Sequence, residues 1–227
     1  LAFERLPDVL EGLSHSVEYR PVLLGALRKQ HGNPGPAGIA PKRDWTYRHA
    51  VWLGHSLGVP LTMPARHPFN PLPLLRLALA CSEDGSINRF VTGTVFRHVW
   101  QGGQDALDAE RLTQLAAELE PQRKPGDEDG ARAKALLRAN TEAATARGVF
   151  GVPALEVDGK VFWGYDSLFS AMAKGAAQDA EEADKPLVAL DSSEIYSVPL
   201  KLVARIPVVR WKLFEAFRNA HPYAAPR

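Results

Sequence analysis

The apolar positions follow a helical period at the start, alternate briefly, return to the helical period for a long stretch, and alternate again near residue 155. Phe3, Leu6, Leu10 and Leu13 recur at helical spacing, which predicts a helix over residues 1–13 that is already in progress at Leu1. Pro7 asks for a first turn or a kink there. Gly12 leaves the helix end open. Residues 16–24 (Ser16 to Leu24) alternate and are rich in β-formers, so they predict a strand. Pro21 would place that strand at an edge or a bulge. His31-Gly32-Asn33-Pro34-Gly35-Pro36 is a dense turn signal. Pro41 then opens a predicted helix through about Leu57, closed by Gly58-Val59-Pro60. Residues 62–71 hold Pro64, Pro68 and Pro71 and predict an extended loop.

From Leu72 to about Arg147 the pattern is mostly helical. Asp108 is a predicted cap for a helix striped by Leu112, Leu115, Ala116 and Leu119. A further helix carries Ala133, Leu136, Leu137, Asn140 and Ala144, and Gly148 suits its end. Residues 152–164 then read as strand, Asp158-Gly159 turn and strand, a strong short hairpin signal. Asp166 is a predicted cap for a last helix through Leu168, Phe169 and Met172. Residues 177–185 are charged and alanine-rich, a predicted linker or frayed helix end. Residues 186–190 are a strand candidate, and the basic, apolar run from Leu200 to Trp211 suits a partly buried terminal helix interrupted by Pro207.

Composition narrows the chemistry. The chain of 227 residues has a formal net charge of +1, which gives no bulk drive toward nucleic acid or anionic lipid. Cys81 is the single cysteine, so neither an internal disulfide nor a cysteine-rich zinc site can form within these residues. The histidines show no metal-ligand spacing; His67, close to Asn70, is the one worth following. No run approaches the roughly 20 apolar residues of a membrane span. The start lacks the order of a signal peptide, so a cytoplasmic setting is expected. It also lacks an initiator Met, and an incomplete natural N-terminus is expected.

Three local motifs carry a resemblance. The run from Gly148 through Val152-Pro153 to Gly159, followed by Phe162-Trp163-Gly164-Tyr165-Asp166, resembles the cis-proline hairpin of the DsbA-like thioredoxin superfamily. Gly32-Asn33-Pro34-Gly35-Pro36 through Pro41-Lys42-Arg43, and His67-Pro68-Phe69-Asn70-Pro71-Leu72-Pro73, resemble two loops of its 2-hydroxychromene-2-carboxylate isomerase and kappa-class glutathione transferase branch. The resemblance spans about residues 1–176. It implies an α/β, thioredoxin-like fold with a large helical insertion. Residues 1–30 and 148–176 would form the thioredoxin-like domain, 31–147 the insertion with a glutathione-site loop, and 177–227 a C-terminal extension. The first strand of that fold and the family's catalytic serine are expected upstream of Leu1, so no residue here inherits the serine's role.

The same resemblance implies glutathione as cofactor, an aromatic or cyclic acid as small-molecule substrate, and a homodimer. It assigns Asn33, Lys42, Val152, Pro153 and Asp166 to glutathione, and each assignment has a plainer rival. Asn33 suits a turn on its own account. Lys42 reads equally as a solvated lysine, although a cation at a helix N-terminus is electrostatically misplaced. Val152 and Pro153 suit a rigid strand entry, or an open edge that pairs with the middle of the tripeptide. Asp166 suits a helix cap, or a partner for the γ-glutamyl amine; Tyr165 stands where relatives often carry a small polar residue. Phe69, Asn70, Trp100 and Trp163 are candidates for the substrate pocket, with core packing the default for aromatics. The implied activity is a glutathione-dependent isomerase. A kappa-type glutathione transferase, a DsbA-like disulfide oxidoreductase and a non-catalytic glutathione-binding protein are the alternatives.

Overall fold

The computed structural model describes residues 1–13 and 15–168. Helix α1 (Ala2–Val9) is shorter than the predicted 1–13 and gives way to a turn, with Gly12 at φ +83°. Pro7 sits inside it and has no N–H to offer the Phe3 carbonyl four residues back. Arg89 supplies the missing donor: its Nη1 reaches that carbonyl at 3.1 Å and the Tyr19 hydroxyl at 3.0 Å. The same guanidinium lies 4.1 Å above the Phe3 ring centroid, a cation–π contact. The proline therefore creates the docking point between α1 and α5 (Arg89–Trp100).

The predicted strand over residues 16–24 is corrected. It forms one antiparallel bridge, Tyr19 with Ile87, with the Ile87 N–H donating to the Tyr19 carbonyl at 2.8 Å. Side chains of α7 (Ala131–Ala146) take up the next backbone groups instead. Asn140 Nδ2 donates to the Pro21 carbonyl at 3.0 Å, and the Leu23 N–H donates to Thr141 Oγ1 at 3.0 Å. Leu24 already belongs to α2 (Leu24–Gln30), a helix the periodicity did not assign. Its fully buried Leu27 explains why the segment turns helical rather than extending further.

Helix α3 (Ala40–Ser56) follows the turn region and has Pro41 in its first turn, where a missing N–H costs nothing. The extended loop after it runs beside the end of α5: the Thr62 N–H donates to the Trp100 carbonyl at 2.7 Å, and the Ala65 N–H to the Gln104 carbonyl at 3.2 Å. Helices α4 (Leu72–Leu79), α5, α6 (Ala109–Leu119) and α7 then build the larger core, with Leu74, Leu79, Val91, Val99, Leu115, Leu119 and Leu137 among its buried members. Asn88 and Asp108 cap α5 and α6, accepting from the Val91 and Arg111 N–H groups. Asp127, almost fully buried, accepts from the Arg132 and Ala133 N–H groups, so its charge sits at the positive end of α7.

Strands β1 (Ala154–Val157) and β2 (Lys160–Trp163) pair antiparallel, from Ala154 opposite Trp163 to Val157 opposite Lys160. Asp158 (φ +53°) and Gly159 (φ +71°) make the two-residue turn, both left-handed as a type I′ hairpin requires. A smaller core joins this hairpin to α1, with Leu6, Val9 and Leu168 buried and Leu10, Tyr19, Leu155 and Tyr165 packed on them. The predicted helix beyond Leu168, the linker at 177–185 and the strand candidate at 186–190 lie outside the described residues.

Candidate functional site

The N-terminal approach to the hairpin places an open backbone at the surface. The Val152–Pro153 peptide is cis, as the resemblance implied. The Pro153 carbonyl accepts from the Gly164 N–H at 2.9 Å, which carries the ladder one step past β1. Val152, just beyond, is 43% exposed, and among the described residues its N–H and C=O have no protein partner. Trp163 lies over Gly151, whose added Cβ would fall 2.5 Å from the indole Nε1, and it meets Phe150 at a centroid distance of 5.0 Å. Half of Trp163 remains exposed.

Asp166 folds back over Gly164. That glycine has φ +96°, and a Cβ there would lie 2.5 Å from Asp166 Oδ1, so only glycine fits beneath the carboxylate. Among the described residues Asp166 has neither an ion pair nor a hydrogen bond, which leaves its carboxylate exposed two residues past Gly164. Of the helix it was expected to cap, Leu168 is helical and the rest lies outside the described residues.

The two other glutathione candidates flank the start of α3. Asn33 Oδ1 accepts from the Gly35 N–H at 2.8 Å, the side-chain turn its residue type predicts. Its carbonyl takes Arg28 Nε at 3.3 Å, and the Arg28 guanidinium fills the space a Gly35 Cβ would need. Only the Asn33 amide N–H groups stay available. Lys42 stands exposed in the first turn of α3 and has no ion pair among the described residues.

The pocket candidates separate. Phe69 and Trp100 meet around His67, with centroid distances of 5.8 and 5.5 Å, and both pack on the larger core. Asn70 is exposed, and its Oδ1 accepts from the Leu72 N–H at 3.1 Å, so it holds the entry to α4. Trp163 belongs to the hairpin with Phe150. The hub of the first group was singled out in the sequence, but its partner was not. Tyr47 Oη lies 2.8 Å from His67 Nδ1, with the rings edge to face at 5.3 Å. Partial burial pushes the His67 imidazole below its ordinary value and the Tyr47 phenol above its own; Arg43 opposes the latter shift and Asp44 adds to it. The pair joins residues 20 apart through a helix with no apolar stripe, so no periodic signal could have revealed it.

Cys81 is half-buried near the Leu77 and Leu119 carbonyls, and burial pushes its thiol up, away from a reactive thiolate. No cluster of three or more potential metal ligands occurs among the described residues, nor does any helix long and apolar enough to cross a membrane.

Comparison with known proteins fits this arrangement. Residues 1–173 match the model of the DSBA-like thioredoxin domain. The chain belongs to that family. A 2-hydroxychromene-2-carboxylate isomerase of Sphingobium xenophagum is 30% identical over 178 residues, covering 74% of this chain and 87% of that protein. One from Pseudomonas putida is 26% identical over 189 residues, covering 80% and 91%. The solved structure of a 2-hydroxychromene-2-carboxylate isomerase superposes with a TM-score of 0.61 at 24% identity, over 79% of this chain and 91% of that one. The expected α/β, thioredoxin-like fold with its helical insertion is thereby the fold of this DSBA-like chain.

Proposed function

We propose that this protein is a glutathione-dependent isomerase acting on 2-hydroxychromene-2-carboxylate or a similar aromatic or cyclic acid. The names of its relatives support the substrate class. The observation that carries the cofactor is the open edge at Val152. An exposed N–H and C=O beside a cis proline suit strand-like pairing with an extended peptide, and glutathione is one. The other residues that the resemblance assigns fit the charges of the tripeptide. Asp166, unpaired among the described residues, suits the γ-glutamyl amine, and Lys42, equally unpaired, suits a carboxylate as a point charge. The Asn33 amide N–H groups suit a further acceptor. Bound glutathione would supply a thiol nucleophile for a conjugated carbonyl, one able to add and leave again. Val152 and Asp166 bind and orient, while Phe69 and Trp100, inclined on either side of His67, offer apolar ring surface to the acid.

The test uses the protein with its native N-terminal sequence. Calorimetric titration with reduced glutathione should show binding that D166N weakens about tenfold. Asn keeps an acceptor but not the charge, and the step from a charged bond of about 1.5–3 kcal/mol to a neutral one of about 0.5–1.5 kcal/mol predicts that scale. Turnover of 2-hydroxychromene-2-carboxylate, followed by absorbance, should require glutathione and leave it unconsumed. Consumption of glutathione into an adduct would point to a transferase, and binding without turnover to a non-catalytic role. Absence of binding would end the glutathione reading.

A further inference from the structure

The loop from Thr62 to Pro71 carries Phe69 and Asn70 and is held from two directions. On one side lie the end of α5 and the turn after it. The backbone pairs Thr62 to Trp100 and Ala65 to Gln104 act there, together with an Arg66–Asp105 ion pair. On the other side lies α3, and Tyr47 reaches from it to His67. Helix α3 buries only Gly54 along its 17 residues, so apolar packing does little to fix its distance from the loop. A directed hydrogen bond at 2.8 Å supplies what packing does not.

The geometry points to Tyr47 and His67 as a positioning pair, which sets the spacing between the loop bearing Phe69 and the helix bearing Lys42. This inference rests on the proposed function, since it places the acceptor wall relative to the glutathione side of the site. The Tyr47 hydroxyl and His67 Nδ1 share a hydrogen bond whose direction is set by the ring tautomer, and the hydroxyl also lies 3.5 Å from the His67 carbonyl. The same imidazole is fixed in orientation by Phe69 and Trp100, so a change at Tyr47 is transmitted to both rings of the wall. Neither residue needs to touch the reacting atoms. Their effect is on alignment, where a displacement of about 1 Å can cost as much as a hundredfold in rate.

The experiment compares the parent protein with Y47F, H67L and H67N, each with its native N-terminal sequence, in steady-state isomerisation of 2-hydroxychromene-2-carboxylate. Y47F keeps the ring and removes the hydroxyl. H67N keeps a hydrogen-bonding group where Nδ1 stood, able to donate or accept, and H67L does not. We expect Y47F and H67L to lower kcat about tenfold while the Kd for glutathione, measured by calorimetry, stays within about twofold. H67N should recover most of the loss, a rescue that general loosening of the fold would not give. Melting temperatures check that all variants are folded. Values of kcat in Y47F and H67L within twofold of the parent would overturn the pairing. So would an H67N as slow as H67L, or an equal loss of glutathione affinity. A parent that binds glutathione but does not isomerise the acid would overturn the proposed function itself, and this inference with it.

Discussion

The two cores of this molecule are built on different scales. Among the described residues the helical one joins α4, α5, α6 and α7 and buries eleven apolar residues, Leu79 among them with no exposure. The other, beneath the hairpin, buries three among the described residues: Leu6, Val9 and Leu168. Leu155 of β1, the strand that follows the exposed Val152, packs on this smaller core, as does Tyr165, next to Asp166, whose carboxylate has no partner among the described residues. On the proposed function the backbone at Val152 must stay open to a peptide ligand, so side chains cannot cover it. Phe69 and Trp100, with His67 between them, belong to the helical block.

Paired truncations would break or sharpen this contrast. Leu79→Ala removes a fully buried side chain from the larger core and should cost about 3–5 kcal/mol, the range for leucine cavities that collapse poorly. Leu6→Ala lies in the smaller core at 7% exposure, where fewer neighbours define the cavity, and should cost about 2–3 kcal/mol. Urea unfolding followed by circular dichroism measures both. An equal loss at the two sites would show that the hairpin end is packed as firmly as the helices, and would remove the distinction drawn above.

A smaller effect tests the seam between the two. Asn140 on α7 donates to the Pro21 carbonyl at 3.0 Å and to the Gly85 carbonyl at 2.8 Å. It thus binds the segment that leads out of the thin core to a helix of the thick one. Asn140→Ala leaves both carbonyls without that donor and should cost about 1–3 kcal/mol. Amide exchange should rise first at Ile87, whose N–H forms the bridge to Tyr19. Unchanged exchange at Ile87 would mean that the bridge stands without Asn140.

The seam is also where the sequence was hardest to read. Leu112, Leu115 and Leu119 announce α6 by spacing alone, and Asp158-Gly159 announces the hairpin, because in both cases the deciding interactions are local. Residues 16–24 alternate as a strand would, yet Asn140 and Thr141 satisfy the Pro21 carbonyl and the Leu23 N–H, and both lie more than 100 positions away. No local pattern encodes such partners. The candidate site divides in the same way. Val152, Pro153 and Asp166 fall within one hairpin motif and could be named together. Trp163 could not be separated from Phe69 and Trp100 until its contact with Phe150 was seen, and Tyr47 gave no signal.

The smallest expected effect concerns acid sensitivity on the α3 side of the helical block. His49, stacked on Trp45 with ring centroids 4.6 Å apart, and His67 are both shifted below the ordinary imidazole value of 6.5 by burial. The sign follows from linkage. A histidine depressed in the folded state leaves the unfolded chain as the better proton acceptor once pH drops below about 6.5. Its contribution to stability is complete above that value, declines as pH falls toward the folded pKa, and then levels off. The charged groups near this pair hold the direction: beside Tyr47, Arg43 and Asp44 are ion-paired with each other, and on the loop Arg66 is engaged by Asp105. Melting temperature should therefore fall between pH 7.5 and pH 5.5. His67→Asn, which keeps a hydrogen-bonding group for Tyr47 but cannot titrate, should flatten part of that fall, and adding His49→Gln should flatten more. A parent and a double variant with parallel pH profiles would move the acid sensitivity away from α3 and leave the two halves of the molecule alike in this respect.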